Sequence, residues 1–189
     1  MVFRKLLAVS SLLLLPVLAR ADNFTYNFND HFAAFSVTGT ITTDTNSGVV
    51  GTSDITDYNI LLNDGTSTLT LTPGNSQTLA RGSSLVATTA GLFFNFDNPV
   101  FDILAIQSPT LGSVNNYLCY QGVGASCDDL TSAHESIWIG TNGQKVQPRS
   151  GNLEIASVAT TAVPEPESLA LMGTGLLGLV EVARRRLAG

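Results

Sequence analysis

The side chains best suited to acid–base chemistry fall in one short stretch of the last third of the chain. Asp128 and Asp129 are followed closely by His134 and Glu135. Carboxylates beside an imidazole can act as general acids, general bases or metal ligands. Their spacing matches no hydrolase or metal signature, and the chain has no Gly-x-Ser-x-Gly elbow. We therefore favour a solvated loop over a catalytic site and expect no catalytic residue.

A second candidate for chemistry is the segment from Asp44 to Gly48. Asp44 and Asn46 place oxygen-bearing side chains at alternate positions, as at the start of a calcium loop. The later ligands of such a loop, above all a Glu at its end, are not at the required positions. We predict a β-turn here, and we assign neither a metal ion nor a cofactor to the chain. The alternative is calcium shared among the loops of an acidic extracellular domain.

Three aromatic side chains could form a platform for sugars. Trp138, Tyr117 and Tyr120 lie close together in sequence, among several Asn and Gln residues. In a strand, Trp138 points to the face opposite Ile137 and Ile139. If the two isoleucines fill the core, Trp138 faces outward and is available to a glycan. The alternative is a half-buried Trp that serves only packing.

The elements that must position these residues are β-strands. Short runs of alternating apolar and polar residues recur between clusters of Gly, Pro, Asn and Ser, and Asn63-Asp64-Gly65 favours a hairpin turn. The predicted strands are 24–28, 35–41, 58–62, 69–71, 85–87, 92–96, 101–106, 116–120, 137–139 and 153–158. This pattern predicts a mainly β ectodomain over residues 22–155, an antiparallel β-sandwich or jelly-roll-like fold.

The charge of this region excludes one class of partner. Between Asp22 and Val163 there are 12 acidic residues and 3 basic ones, Arg81, Lys145 and Arg149, which gives a net charge of 3 − 12 = −9. Such a surface repels phosphate backbones. Nucleic-acid binding is therefore not expected.

The N-terminus has the order of a secretory signal peptide. Arg4 and Lys5 precede the apolar run 6–18, and Ala19 and Ala21 supply the small residues that signal peptidase reads. We predict a signal helix in residues 1–21, cleaved after Ala21. The alternative is an uncleaved N-terminal anchor.

Export would allow Cys119 and Cys127 to form a disulfide worth roughly 2.5 kcal/mol in the chain-entropy model. The alternative is that one of these cysteines is a free-thiol nucleophile.

The C-terminus has three parts that follow a predicted linker at 156–163. Pro164-Glu165-Pro166 is extended, because proline continues neither a helix nor a strand. Residues 168–183 form an apolar stretch that contains glycines and Glu181, and we predict a transmembrane helix there. Its 16 residues are fewer than the usual ~20. The positive-inside rule places the final cluster, Arg184, Arg185 and Arg186, in the cytoplasm.

This tail, residues 164–189, resembles the PEP-CTERM sorting signal of Gram-negative bacteria that make exopolysaccharide. The resemblance rests on Pro164, Glu165 and Pro166, on the Gly/Leu-rich helix, and on the arginine cluster. It implies that a membrane-embedded, cysteine-dependent exosortase recognises the tail and cleaves near the Pro-Glu-Pro segment. Glu181 departs from the family pattern, which has a small or apolar residue there.

Together these features predict an exported protein that passes through an inner-membrane intermediate to the outer surface or the extracellular matrix. Its expected partners are signal peptidase, an exosortase and the membrane. We expect a non-enzymatic structural or adhesive role. An exopolysaccharide-binding module is the first alternative, and a surface hydrolase is the second.

Overall fold

A computed structural model describes residues 23–97, 101–124, 127 and 131–159. These residues form thirteen strands and a 3-10 turn at Thr52–Asp54. The strands are β1 (Phe24–His31), β2 (Ser36–Thr43), β3 (Gly48–Val49), β4 (Ile55–Asn63), β5 (Thr68–Leu71), β6 (Gln77–Arg81), β7 (Leu85–Ala87), β8 (Gly91–Asn95), β9 (Ile103–Gln107), β10 (Tyr117–Gln121), β11 (His134–Trp138), β12 (Gln144–Pro148) and β13 (Asn152–Val158).

The strands make two antiparallel sheets. The larger sheet has eight strands in the order β3-β7-β8-β13-β1-β2-β4-β5, and the smaller has five in the order β12-β11-β10-β9-β6. The predicted mainly β class is confirmed. The two predicted terminal helices, in 1–21 and 168–183, lie outside the described residues. Among the residues that are described, no helix is long and apolar enough to span a membrane.

One hydrophobic core holds the two sheets together. The larger sheet contributes Tyr26 and Phe28 of β1, which alternate with polar residues as the sequence pattern predicts, and Phe94 of β8. The smaller sheet contributes Leu118 and Tyr120 of β10. Burial of apolar side chains at roughly 25 cal/mol per Å² is the main stabilising contribution.

The opposite face of the smaller sheet, which we call its outer face, is also covered. All five residues of β9 and all five of β10 are buried, so both faces of these strands are shielded from solvent. A second apolar cluster lies on the outer face and includes Ile103, Ala105, Tyr117 and Cys119. Alternation of apolar and polar residues predicts that only one face of a strand is buried. It therefore could not predict the burial of the outer face.

Two turns tie the ends of the sheets to each other. The predicted hairpin at Asn63-Asp64-Gly65 connects β4 and β5, and Gly65 has a φ of 83°. Asp64 is buried, and burial acts to raise its pKa. Hydrogen bonds from the Ser67 amide, the Asn142 side chain and the Thr66 amide nevertheless leave it lower than usual. Because Asn142 follows β11, its 2.9 Å bond to Asp64 links the two sheets.

The last described strand ends close to the tail. β13 continues to Val158, which confirms the predicted strand at 153–158, and the predicted linker therefore begins three residues too early. The compact unit formed by the described residues ends at Val158. Five residues, 159–163, separate this strand from Pro164.

Gly39 allows the pairing of β2 with β4. Its φ of 123° lies in a region that residues with a Cβ rarely adopt, and it stands opposite Ile60 in the register. A Cβ added at Gly39 would overlap the backbone carbonyl oxygen of Asn59 in β4. This position therefore requires glycine both for its dihedral angle and for the approach of the neighbouring strand.

We expect Gly39→Ala to lower the free energy of unfolding by about 3 kcal/mol, because backbone strain and a backbone overlap add. Urea denaturation monitored by circular dichroism measures the change. Gly74→Ala is the matched control, since its Cβ would have no neighbour closer than 3.8 Å. A Gly39→Ala protein as stable as the Gly74→Ala protein would contradict this account of the β2–β4 pairing.

Candidate functional site

The structure separates the acid–base residues that are close in sequence. His134 and Glu135 are adjacent in β11, and their side chains point to opposite faces of the smaller sheet. His134 is fully buried, and its Nδ1 donates to the carbonyl oxygen of Ser132 at 2.7 Å. Asp128 and Asp129 lie outside the described residues. The predicted solvated loop is wrong for His134 and Glu135, which are fully buried in a strand, and the cleft that the surface-hydrolase alternative needs is not formed by these two residues.

Glu135 belongs instead to a buried ionic cluster between the sheets. Arg149, just after β12, donates to Glu135 Oε2 from Nη2 at 2.7 Å and from Nε at 3.2 Å. The same guanidinium lies 3.8 Å from Asp30 Oδ2 of β1, and its carbon is 4.5 Å from the centre of the Phe32 ring. Tyr120 of β10 stands directly opposite Glu135 in the register. We call Asp30, Tyr120, Glu135 and Arg149 the buried cluster.

Burial determines how the buried cluster titrates. Loss of solvent contact, followed by the charge of Asp30, raises the pKa of Glu135 to about 7, although Arg149 and Tyr120 act to lower it. Burial also raises the pKa of Asp30, against the charges of Arg149 and His31. The pKa of Tyr120 is raised by burial and by the nearby carboxylates. One arginine therefore has to balance two carboxylates, of which Glu135 is fully buried, while Asp30 and Arg149 keep about a fifth of their side-chain surface exposed.

Three oxygen atoms of the buried cluster have little contact with water and no hydrogen-bond partner within the described part of the chain. They are Asp30 Oδ2, Tyr120 Oη and Glu135 Oε1. A proton on Glu135 removes a negative charge from this group of oxygen atoms, which agrees with the direction of its pKa shift. Because Glu135 has no exposed surface, this carboxyl can hold a proton but cannot contact a substrate from solvent.

Sequence reasoning missed two members of this cluster, Asp30 and Arg149. Each is far from Glu135 in the chain, and no motif connects the three residues. The one feature of the sequence that could have indicated this cluster is the small number of cationic side chains. Residues 22–163 contain only three basic side chains, so each one was a candidate partner for a buried acid.

The aromatic candidates divide between the two faces of the smaller sheet. Tyr117 and Trp138 are direct partners across β10 and β11, with ring centres 6.2 Å apart on the outer face. Tyr117 is only 3% exposed, whereas Trp138 is half-buried and donates from Nε1 to the carbonyl oxygen of Gly140. Tyr120 lies in the core, near the Phe28 ring. Ile137 and Ile139 also fill the core, which leaves Trp138 on the outer face.

Described residues of two loops contact strands of the smaller sheet. In the loop after β9, the Gly112 amide donates to Gln107 Oε1, and the Gln107 amide donates to the Ser113 carbonyl oxygen. The loop after β10 is held by the Cys119–Cys127 disulfide, which confirms that prediction. In this loop the Cys127 amide donates to Gln121 Oε1 at 2.9 Å. Trp138 pairs with Gln144 of β12, the edge strand of this sheet.

The segment from Asp44 to Gly48 is a turn between β2 and β3. The Thr45 hydroxyl donates to the Ser47 carbonyl oxygen, the Asp44 amide donates to Asp54, and Gly48 has a φ of 96°. Over the described ranges, no group of three His, Cys, Asp or Glu side chains is arranged to hold a metal ion. Ala19, Ala21 and the tail residues Pro164–Pro166 and Arg184–Arg186 lie outside those ranges.

Replacing Glu135 with Gln tests the buried cluster. The folded protein keeps a proton on Glu135 up to a pKa of about 7, whereas the ordinary value is 4.5. The unfolded chain thus binds fewer protons between these values, and the free energy of unfolding falls as pH rises from 4.5 to 7. The fall due to this group is about 3 kcal/mol. Because Gln cannot ionise, Glu135→Gln should lose most of this slope.

Urea denaturation at several pH values from 4.5 to 8 measures the slope. Glu154→Gln, at an exposed position in β13, is the matched control and should keep the wild-type slope. Equal slopes for the Glu135→Gln and wild-type proteins would show that Glu135 is ionised in the folded state throughout this range.

The comparisons with known proteins identify the C-terminal segment. Residues 162–186 match the family model of the PEP-CTERM protein-sorting motif, which confirms the resemblance predicted for the tail. No curated protein and no solved structure matches the chain. The chain therefore carries a C-terminal PEP-CTERM protein-sorting motif, a signal of exported proteins that are processed by an exosortase, itself a membrane protein.

Proposed function

We propose that the chain is a structural or adhesive component of the cell envelope or extracellular matrix, without enzymatic activity. The observation that carries this proposal is the sorting motif at residues 162–186. Signal peptidase removes residues 1–21, and the tail holds the exported domain in the inner membrane. An exosortase then cleaves near Pro164–Pro166 and releases the domain to the outer surface or the matrix.

The described domain supports a role that depends on its surface. Its two antiparallel sheets share a core, as in a β-sandwich, and the disulfide suits an oxidising compartment. Glu135, whose pKa is raised to about 7, has no exposed surface. His134 lies on the other face of the sheet. These placements support a binding or structural protein over a surface hydrolase, which needs acid and base groups together in an open cleft.

A second candidate function, exopolysaccharide binding, is supported by the outer face of the smaller sheet. Trp138 keeps part of its ring accessible, Tyr117 packs beside it, and Gln144 stands next to it in the register. An aromatic ring beside an amide is a suitable contact for the apolar face and hydroxyls of a sugar. Because Tyr117 is buried, the ring of Trp138 would provide most of the contact.

Substitution of the sorting motif tests the first proposal. In a host that makes an exosortase, we expect Glu165→Ala to accumulate as uncleaved precursor in the membrane fraction, because the recognised segment has lost its carboxylate. Glu167→Ala, just outside the Pro-Glu-Pro segment, should be cleaved like the wild-type protein. Immunoblots of cell fractions and the mass of the released protein measure the result. Equal cleavage of all three proteins would argue against sorting through Pro164–Pro166.

Binding to the purified exopolysaccharide of the host tests the second candidate. We expect Trp138→Ala to weaken binding about tenfold, since loss of an aromatic contact worth roughly 1.4 kcal/mol changes affinity by that factor. Phe101→Ala removes an exposed aromatic ring that is not part of the Tyr117–Trp138 pair, and it should leave binding unchanged. Titrations with and without calcium measure the affinities. A wild-type protein that does not bind in either condition would exclude the glycan-binding candidate.

A further inference from the structure

The backbone of Gly140, two residues after Trp138, is hydrogen-bonded to three side chains. Its carbonyl oxygen accepts from Trp138 Nε1 at 3.0 Å and from Asn115 Nδ2 at 2.8 Å. Its amide donates to Asn116 Oδ1 at 2.8 Å. Two asparagines of the loop between β9 and β10 are thus connected to the indole ring through one glycine. We call Asn115, Asn116, Trp138 and Gly140 the indole clamp.

Asn116 is held in a backbone conformation that favours glycine. Its φ is 63°, and within the described residues only one other non-glycine residue, Phe101, has a positive φ. Asparagine adopts this conformation more readily than most residues with a Cβ, but the conformation still costs free energy. It persists where surrounding contacts fix it. Here the Ser108 amide donates to the Asn116 carbonyl oxygen, and the Asn116 side chain accepts from Gly140. These contacts keep the carboxamide of Asn116 directed at Gly140.

The turn that contains Gly140 is also anchored to the larger sheet. It follows β11 and ends at Asn142. The Asn142 side chain donates to Asp64 Oδ2 at 2.9 Å and to Ser67 Oγ at 3.0 Å, both in the hairpin between β4 and β5. The turn is therefore held on one side by the β9–β10 loop and on the other by this hairpin, which restricts movement of Gly140.

The hydrogen bond to Gly140 determines what Trp138 can offer to a ligand. Because the indole N–H is engaged within the protein, the accessible part of the ring presents apolar surface and no hydrogen-bond donor. Tyr117 packs against this ring, and the two rings are tilted by 59°. An apolar ring surface fits the C–H face of a sugar, and it provides no donor for a phosphate or a carboxylate.

We propose that Asn115 and Asn116 are positioning residues of the glycan site. Acting through Gly140, they hold the ring of Trp138 in the orientation that stacks on the C–H face of an uncharged sugar unit. This inference rests on the second candidate of the proposed function, exopolysaccharide binding. A ring that is already fixed loses little conformational freedom when a ligand binds, and affinity is preserved for that reason.

Fluorescence anisotropy tests the indole clamp without a ligand. The chain contains one tryptophan, so tryptophan emission from the full exported chain reports the ring of Trp138 alone. Asn116→Gly removes the carboxamide and suits the positive φ. Asn116→Asp keeps an oxygen that can accept from the Gly140 amide. Val114→Ala is the matched control, because Val114 lies in the same loop and is 80% exposed.

We expect time-resolved anisotropy to show faster local motion of the ring in Asn116→Gly, with a red-shifted emission maximum, because the ring loses its fixed acceptor. Asn116→Asp and Val114→Ala should keep the wild-type values. Binding to the purified exopolysaccharide of the host should weaken about fivefold in Asn116→Gly, since ordering of a free side chain then opposes binding. Asn116→Asp should restore it. Asn115→Ala replaces Asn116→Gly if circular dichroism shows that Asn116→Gly does not fold.

Three results would overturn the positioning role. They are a wild-type anisotropy decay in the folded Asn116→Gly protein, equal ring mobility in Asn116→Gly and Asn116→Asp, and a mobile ring with undiminished binding. A wild-type chain whose ring is fixed but which does not bind the exopolysaccharide would instead contradict the glycan-binding candidate, and the role of the two asparagines in fixing the ring would stand.

Discussion

The pairing of β1 with β13 is the constraint on which the larger sheet depends. In the strand order, this pair joins one half, β3-β7-β8-β13, to the other half, β1-β2-β4-β5. The junction has only two residue pairs, Tyr26 with Val158 and Asn27 with Ser157. Tyr26 is almost fully buried, so the junction is supported by the shared core more than by its few backbone hydrogen bonds. The first and last strands thus complete one sheet and bring the two ends of the domain together.

The sequence pattern predicted every central strand of the two sheets but only one of their four edge strands, β5. All ten predicted segments overlap observed strands. The three strands that were not predicted, β3, β6 and β12, are the first or last strands of their sheets. Edge strands face solvent on one side and are short or polar, so the period-two signal is weak. In β12 the residues are Gln144-Lys-Val-Gln-Pro148, and none of them is fully buried.

Prediction from the sequence was also incomplete for the candidate sites, but for a different reason. Local alternation correctly assigned Ile137 and Ile139 to the core and Trp138 to the other face, because the register within one strand is a local property. It could not show that Tyr117 would be buried. It also could not join Glu135 to Asp30 and Arg149, since those contacts depend on which strands become neighbours. Topology therefore decides which polar residues meet, and a single sequence without a motif does not reveal it.

An acidic domain with few cations has few partners for its carboxylates in the buried cluster. Removing one partner of a buried ion pair leaves an uncompensated charge, and this costs several kcal/mol. Residues 22–163 carry a net charge of −9, so few cations are available to offset buried carboxylates. Arg149 contacts two of them, and the charge of Lys145 acts on a third, Asp64. Two of the three cations are thereby committed to positions where β11 and β12 meet the larger sheet.

The same topology makes folding of the domain depend on residues that lie just before the sorting motif. The larger sheet cannot be completed until β13 is available, and β13 ends five residues before Pro164. Pairing of the first strand with the last is the most non-local contact that a chain can make, and such contacts form slowly. During export, the domain can complete its fold only when nearly all residues before the sorting motif have emerged. A domain whose last strand ends at Val158 therefore reaches its folded state only when the residues just before its sorting motif are available.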